Sequence, residues 1–229
     1  MIYITGDTHS DFSRIKAFCK DYDTTIDDVI VILGDAGINY YRGAKDIKLK
    51  YALSNLPITI FCIHGNHEIR PHTIVSYDKM KWNEGMVYYE NAYPNILFAV
   101  DGEIYKLNNK QCIAIGGAYS VDKDYRLMMG YGWWEDEQPS NEIKQTVEKA
   151  LLENTVDIVL SHTCPLKYEP IEVFLSFIDQ STVDKSTEEW LDKIEESITY
   201  EKWYCGHYHT SKRIDKMQFM FEDIDILKV

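Results

Sequence analysis

Seven side chains able to hold a cation stand in this sequence just beyond apolar runs that end in or beside turns. Gly6-Asp7-Thr8-His9 follows Ile2-Tyr3-Ile4-Thr5, Gly34-Asp35 follows Val29–Leu33, and Gly65-Asn66-His67-Glu68 follows Ile58–Ile63. Ser161-His162 follows Asp157–Leu160, and Gly206-His207-Tyr208-His209 follows Trp203-Tyr204-Cys205. Imidazole nitrogen and carboxylate oxygen are donors that divalent Mn, Fe, Ni and Zn accept. If the Asp7-x-His9 and His207-x-His209 segments are extended, side chains two apart project to the same side. Asp35, on the run between the other two, is a natural bridge, since one carboxylate can touch two ions roughly 3.5–4 Å apart. Such a pair lowers the pKa of a shared water towards neutrality, which is the chemistry of metal-assisted hydrolysis. A lone His162 would read as a satisfied core histidine and Asn66 as a turn residue after glycine. Seven such groups at five run ends make that account improbable jointly.

The runs predict how these groups are positioned. Continuous apolar stretches of four to six residues read as strands buried on both faces, and ligands in open α/β sheets sit beyond the carboxyl ends of such strands. Residues 2–64 read as β-α-β-α-β, with helices near 12–21 and 44–56. Asp7, Asp35 and Asn66 recur at about the 30-residue spacing of a βαβ unit, so three crossover strands would end on one edge. Residues 69–83 read as loop plus a short helix. Short runs at 86–89, 96–100, 103–107 and 112–115, joined by turn residues such as Asp101-Gly102 and Asn108-Asn109, predict a second, more antiparallel sheet. A long glycine- and aromatic-rich connection spans 116–139. It is either functional or a cap in which Trp133 and Trp134 cover the core while Lys123 and Arg126 are solvated. Ser140 is placed as an N-cap, followed by an apolar stripe of Ile143, Val147, Ala150 and Leu151. Residues 166–186 read as a lid, short helix or partner surface, 187–198 as a helix, and 211–221 as a hairpin.

The 229 residues suit one domain, 1–229. With 24 Lys and Arg against 37 Asp and Glu, the net charge of −13 argues against duplex nucleic acid as a partner. The five cysteines are scattered without C-x-x-C, so they read as small buried hydrophobes in a reducing cytoplasm. No leader pattern and no apolar run of membrane-spanning length is found, so neither export nor membrane insertion is expected. Three other constellations fail. His67-Glu68-Ile69-Arg70-Pro71-His72 places the second histidine one residue too late for the zincin motif, and Pro71 would break its helix. No G-x-S-x-G precedes His162, and no G-K-[ST] follows Gly116-Gly117.

Taken in order, Gly6-Asp7-x-His9, Gly34-Asp35, Gly65-Asn66-His67-Glu68, His162 and Gly206-His207-x-His209 resemble the calcineurin-like metallophosphoesterase superfamily, in its bacterial or phage form of unassigned substrate. The resemblance implies an α/β fold: a four-layer αββα sandwich of two mixed sheets flanked by helices, with the metal site at the carboxyl ends of strands. It implies two divalent ions, manganese foremost with Fe, Ni, Zn or Mg as alternatives. Asp7, His9, Asp35 and His209 would hold one, and Asp35, Asn66, His162 and His207 the other. His67 would assist the leaving group, and hydroxide held by the ions would attack phosphate mono- or diesters. The expected substrate is a small phosphorylated molecule, nucleotides included, met by Lys123, Arg126 or Tyr119. A nuclease or cyclic-nucleotide diesterase on the same centre, and a non-catalytic metal-binding scaffold for protein partners, are the alternatives. Ser10 and Ala36-Gly37-Ile38-Asn39-Tyr40 depart from the protein phosphatase branch and argue against that subgroup.

Overall fold

The computed structural model describes residues 1–228. In chain order the first part holds β1 (Ile2–Thr5), α1 (Ser13–Asp21), β2 (Val29–Ile32), α2 (Ala44–Ser54) and β3 (Thr59–Cys62). Five strands follow: β4 (Asp78–Trp82), β5 (Gly85–Tyr89), β6 (Ile96–Ala99), β7 (Ile104–Leu107) and β8 (Lys110–Ile115). Then come α3 (Lys123–Met129), α4 (Asn141–Glu153), β9 (Ile158–Ser161), α5 (Ser186–Ser197) and β10 (Lys202–Cys205). The chain closes with β11 (Lys212–Ile214), β12 (Met217–Phe219) and β13 (Asp225–Ile226). One sheet runs β13-β1-β2-β3-β6-β5-β4 and the other β11-β12-β10-β9-β8-β7.

Alternation along the strands explains why the runs are apolar throughout. On β2 and just after it, Val29, Val31 and Leu33 face the space between the sheets, whereas Ile30 and Ile32 face α1 and α2 through Ile15, Cys19 and Leu53. In the second sheet Ile158, Leu160 and Tyr204 face inward, while Val159, Trp203 and Cys205 pack on Val147 of α4 and on Leu191 and Ile194 of α5. With period 2 and both faces covered, every position must be apolar. The result is the expected four layers: helices, sheet, sheet, helices. Ser140 caps α4, its side chain accepting from Ile143 N. All five cysteines are buried and free. No described helix is long and apolar enough to cross a membrane.

The central strands depart from expectation. They do not form a sheet of their own: β4, β5 and β6 extend the first sheet, with β6 parallel to β3, and β7 and β8 join the second, with β8 parallel to β9. All four residues of β6 are buried, which requires an interior position. The Asp101-Gly102 turn then carries the chain from one sheet to the other, and turn chemistry alone does not distinguish a hairpin from such a crossing. Residues 78–82 form a strand instead of loop and helix, with Met80 and Trp82 packed against the core while Lys79 and Lys81 are exposed. Residues 123–129 are helical, and 166–186 contain short 3₁₀ turns at Leu166–Tyr168, Ile171–Val173 and Gln180–Thr182.

One polar tie crosses the inter-sheet core. The Tyr105 hydroxyl on β7 donates to the Met86 carbonyl on β5 at 2.6 Å and accepts from Val100 N at 2.9 Å. Tyr105→Phe leaves both buried backbone groups unpaired, and should cost about 1–3 kcal/mol in urea unfolding. A loss below about 0.5 kcal/mol would show that the hydroxyl is dispensable.

Candidate metal centre

Five strands that run parallel within their sheets deliver the donors. Asp7 follows β1, Asp35 follows β2, Asn66 follows β3, His162 follows β9, and His207 and His209 follow β10. Each buried carboxylate is anchored through one oxygen by another loop: Asp7 Oδ1 accepts from His207 N at 3.0 Å, and Asp35 Oδ1 from His67 N at 2.8 Å. Backbone bonds from Thr8 and His9 to the Asp35 carbonyl join the first two loops. Arg14 Nη2 donates to the carbonyls of Gly6 and Asp7 at 2.9 and 2.7 Å. Glu68, fully buried, accepts from Gly65 N and Gly37 N and so locks the third loop to the second. Glycine is required at the tightest approaches to the donors. A Cβ on Gly65 would meet Asp35 Oδ1 at 2.0 Å, and one on Gly34, whose φ is +93°, would meet His162 Nδ1 at 2.1 Å.

The two D-x-H and H-x-H segments are not extended. His9, His207 and His209 have φ of +46°, +66° and +48°, and Asp35 has +47°. Left-handed backbone at residues with a Cβ is uncommon and clusters at functional sites. Here it turns side chains inward that an extended segment would send elsewhere.

The structure brings six of the predicted donors together. His9 Nε2 and His209 Nε2 lie 2.9 Å apart, and Asp7 Oδ2 lies 3.3 Å from His209 Nε2 and 3.8 Å from His9 Nε2. His9 Nε2 is 4.0 Å from Asp35 Oδ2, and His162 Nε2 is 3.5 Å from Asp35 Oδ1 and 2.8 Å from Asn66 Oδ1. Three sets of mutually close donors result: Asp7, His9 and His209; His9, Asp35 and His67; Asp7, Asp35 and His162. His207 belongs to none of them, although its ring centroid is 4.9 Å from that of His162.

Hydrogen-bond partners fix how the donors face the shared space. Ser120 Oγ donates its only hydrogen to the Glu137 carboxylate, so the Asn66 group that meets it at 2.9 Å is the amide NH₂. Asn66 Oδ1 is thereby aimed at His162. The Leu33 carbonyl can only accept, so His162 Nδ1, 2.8 Å away, carries a hydrogen. His162 Nε2 then points at two oxygens, Asn66 Oδ1 and Asp35 Oδ1, inside a site where His162 has no exposure. Asp7 Oδ2 is buried and has no hydrogen-bond partner. Nitrogen and oxygen atoms that converge at about 3–3.5 Å match the spacing of neighbouring ligands on a cation bound at about 2.1 Å. The residues present fit a divalent ion.

Burial acts on these groups from both directions. It pushes the Asp35 carboxyl up, but the imidazoles of His162, His67 and His9 outweigh it and hold Asp35 below the usual carboxylate range. Burial drives His207 down to about 3, with the His162 ring adding to the effect, so its imidazole is a neutral donor.

Above the donors lies a cleft of about 410 Å³, lined by His9, Asp35, Asn66, His67, His207 and His209 at its floor. Tyr119 lines it as well; Lys123 and Arg126 do not. Lys123 Nζ lies over the Trp133 ring at 4.1 Å. Arg126 is neither in the cleft nor solvated: only 2% exposed, it donates to Ser120 Oγ at 2.9 Å, behind Asn66. The network of Ser120, Arg126, Glu137 and Trp133 that orients Asn66 was not foreseen. Its only signal in the sequence was the glycine-rich connection that carries Ser120. Glu188 also lines the cleft. Its carboxyl is pushed up to about 7 by burial, with Glu169 adding and the Thr163 hydrogen bond and Lys185 opposing.

A family model described as calcineurin-like phosphoesterase matches residues 1–222. A solved crystal structure shares 13% identity with a TM-score of 0.52, covering 96% of this chain and 88% of its own, a likeness of fold. A protein of unknown function from Aquifex aeolicus has a solved structure that shares 12% identity with a TM-score of 0.36, covering 74% of this chain and 81% of its own. No curated protein matches the chain.

Two outcomes are expected. Gly65→Ala drives a methyl into Asp35, so manganese affinity by calorimetry should fall at least about tenfold while circular dichroism still reports a folded chain; unchanged affinity would contradict the fit. For Glu188 the folded pKa lies above the unfolded one, so its contribution to stability is whole below about pH 4.5 and is lost as pH rises through about 7. Glu188→Gln, neutral throughout, should therefore gain on the order of 2 kcal/mol over the parent at pH 8 and little at pH 4.5 in denaturant melts. An equal effect at both pH values would dismiss the titration.

Proposed function

The chain belongs to the calcineurin-like phosphoesterase family, whose activity is metal-dependent phosphoester hydrolysis, and we propose that it hydrolyses phosphate mono- or diesters at a centre of two divalent cations. The observation that carries the reading is the convergence of donor atoms: His162 Nε2 on Asn66 Oδ1 and Asp35 Oδ1 on one side, His9 Nε2 on His209 Nε2 and Asp7 Oδ2 on the other. Asp7, His9, Asp35 and His209 would hold one cation, and Asp35, Asn66, His162 and His207 the second, with Asp35 between them. Bound there, divalent ions supply a water of lowered pKa and a positive field for the phosphoryl oxygens.

The protein's own contributions follow from where its side chains stand. Asp35 is kept ionised by its histidine neighbours and pinned by His67 N, so the second oxygen keeps its direction. Asn66 presents an uncharged oxygen, which leaves the centre with positive charge to spare for an anionic substrate. His67 lines the cleft, its ring edge-on to His9 at 5.1 Å between centroids. It is free to hand a proton to the departing alcohol oxygen, which contributes typically about 10²–10⁴-fold. The substrate is a small phosphorylated organic molecule, in keeping with a cleft near the lower end of the 300–1,000 Å³ typical of such sites.

The test is turnover of p-nitrophenyl phosphate and bis-p-nitrophenyl phosphate by chelator-treated protein with and without added manganese. Hydrolysis of either only when metal is restored is the expected result, and the ratio of the two rates distinguishes monoester from diester preference. Hydrolysis unaffected by chelation would overturn the proposal. His67→Asn should slow alkyl phosphates by about 10²–10⁴-fold and p-nitrophenyl phosphate much less, because nitrophenolate departs without a proton. Equal losses on both would remove His67 from that role.

A further inference from the structure

The cleft has two unlike halves. Below stand the histidines and Asp35. Another part of the wall is apolar: Val173, Phe174, Leu175, Ile178 and Val183 line it from the 169–184 segment, with Val121 from the 116–139 connection. This wall is not simply core, because Val173 and Leu175 remain 39% and 50% exposed and Val121 40%. Apolar surface left open at a polar site gains free energy when a ligand covers it.

The charge pattern sharpens the point. Among the described residues no lysine or arginine lines the cleft, whereas four carboxyl groups do besides Asp35: Asp122, Glu169, Asp184 and Glu188. The cations nearest in the chain are otherwise engaged. Lys185 pairs with Glu169 at 2.6 Å and lies over the Phe174 ring at 5.1 Å, Arg126 is buried against Ser120, and Lys123 covers Trp133. A phosphoryl group at the floor meets the donor cluster and what it binds. A second phosphate elsewhere in the cleft would meet the apolar wall and the carboxylates of Asp122 and Asp184, with no lysine or arginine lining the cleft to pair with it, in a protein of net charge −13. Like-charge juxtaposition of that kind is unfavourable, and low-dielectric walls magnify it.

We infer that the substrate is an ester of one phosphoryl group with an uncharged, largely apolar alcohol, and that esters carrying further anionic groups, nucleoside polyphosphates among them, are discriminated against. This rests on the proposed phosphoesterase activity and narrows its substrate class.

Ethyl, butyl and hexyl phosphate form a fitting test, because their alcohols leave equally well and any slope with length reports the wall. With manganese-loaded protein, kcat/KM should rise by about two- to fourfold per added CH₂, up to the full transfer value. Hexane-1,6-diol bisphosphate should fall at least about tenfold below hexyl phosphate. Phe174→Ala and Leu175→Asp should flatten the length dependence, and Val183→Lys should narrow the gap to the bisphosphate. The same alkyl series as non-hydrolysable phosphonates, titrated calorimetrically, supplies a second readout without turnover, in which Kd should tighten with length. Turnover of p-nitrophenyl phosphate with a flat alkyl series, or a preference for the bisphosphate, overturns this inference while leaving the activity intact. Phosphonate affinity that rises with length without any turnover supports the wall as a binding surface and overturns the phosphoesterase reading instead. Absence of both turnover and length dependence overturns the two together.

Discussion

Holding buried, ionised carboxylates within a few ångströms of one another and of a ring of imidazoles is the constraint on which this structure depends. Asp7 and Asp35 are 1% and 2% exposed, and left to themselves their charges would be expelled or neutralised. Each is instead tethered through one oxygen by the backbone N–H of a neighbouring loop, so that the other oxygen faces the shared space. The tethers run between strand ends far apart in the chain. They hold only if the sheets themselves are rigid, and the four-layer packing provides that.

The surrounding shell repeats the same device one step out. Glu68 binds two loops through two backbone N–H groups, Arg14 gathers carbonyls beside β1, and Ser120 with Glu137 and Arg126 sets the face of the Asn66 amide. Left-handed turns at His9, Asp35, His207 and His209 complete the arrangement, at a conformational cost of order 1–3 kcal/mol each. Such strain persists where the surrounding contacts over-determine it. The density of backbone bonds between these loops shows that they do.

The reaction site and the cleft above it are built on different logics. The floor is polar and pinned, with its carboxylates buried. The wall, from short 3₁₀ turns between Pro165 and Ser186, is apolar and partly open. That division separates a chemistry common to phosphate esters from the selection of one ester among many.

Much of this was legible in the residues before any coordinates. Strands buried on both faces betray themselves as unbroken apolar runs, so β1, β2, β3, β9 and β10, and the donors just after them, could be read off directly. The apolar stripe of α4 and its Ser140 cap were equally plain. Less legible was β4, whose Asp78-Lys79-Met80-Lys81-Trp82 alternates with only two apolar positions. The roles assigned to Lys123 and Arg126 could not be resolved either, because a basic residue in a loop reads alike whether it meets a ligand, stacks on Trp133 or is buried behind Asn66.

What the sequence by itself determined is the set of donors, their chemical types and their delivery at strand ends, because hydrophobic periodicity and turn residues are local properties. What only the tertiary structure decided is which sheet each central strand joined, the inward turn of the histidines, the contacts that orient His162 and the apolar-walled cleft overhead. Those depend on contacts such as Leu33 with His162 and Asp7 with His207, between residues more than a hundred positions apart, and no local pattern records them.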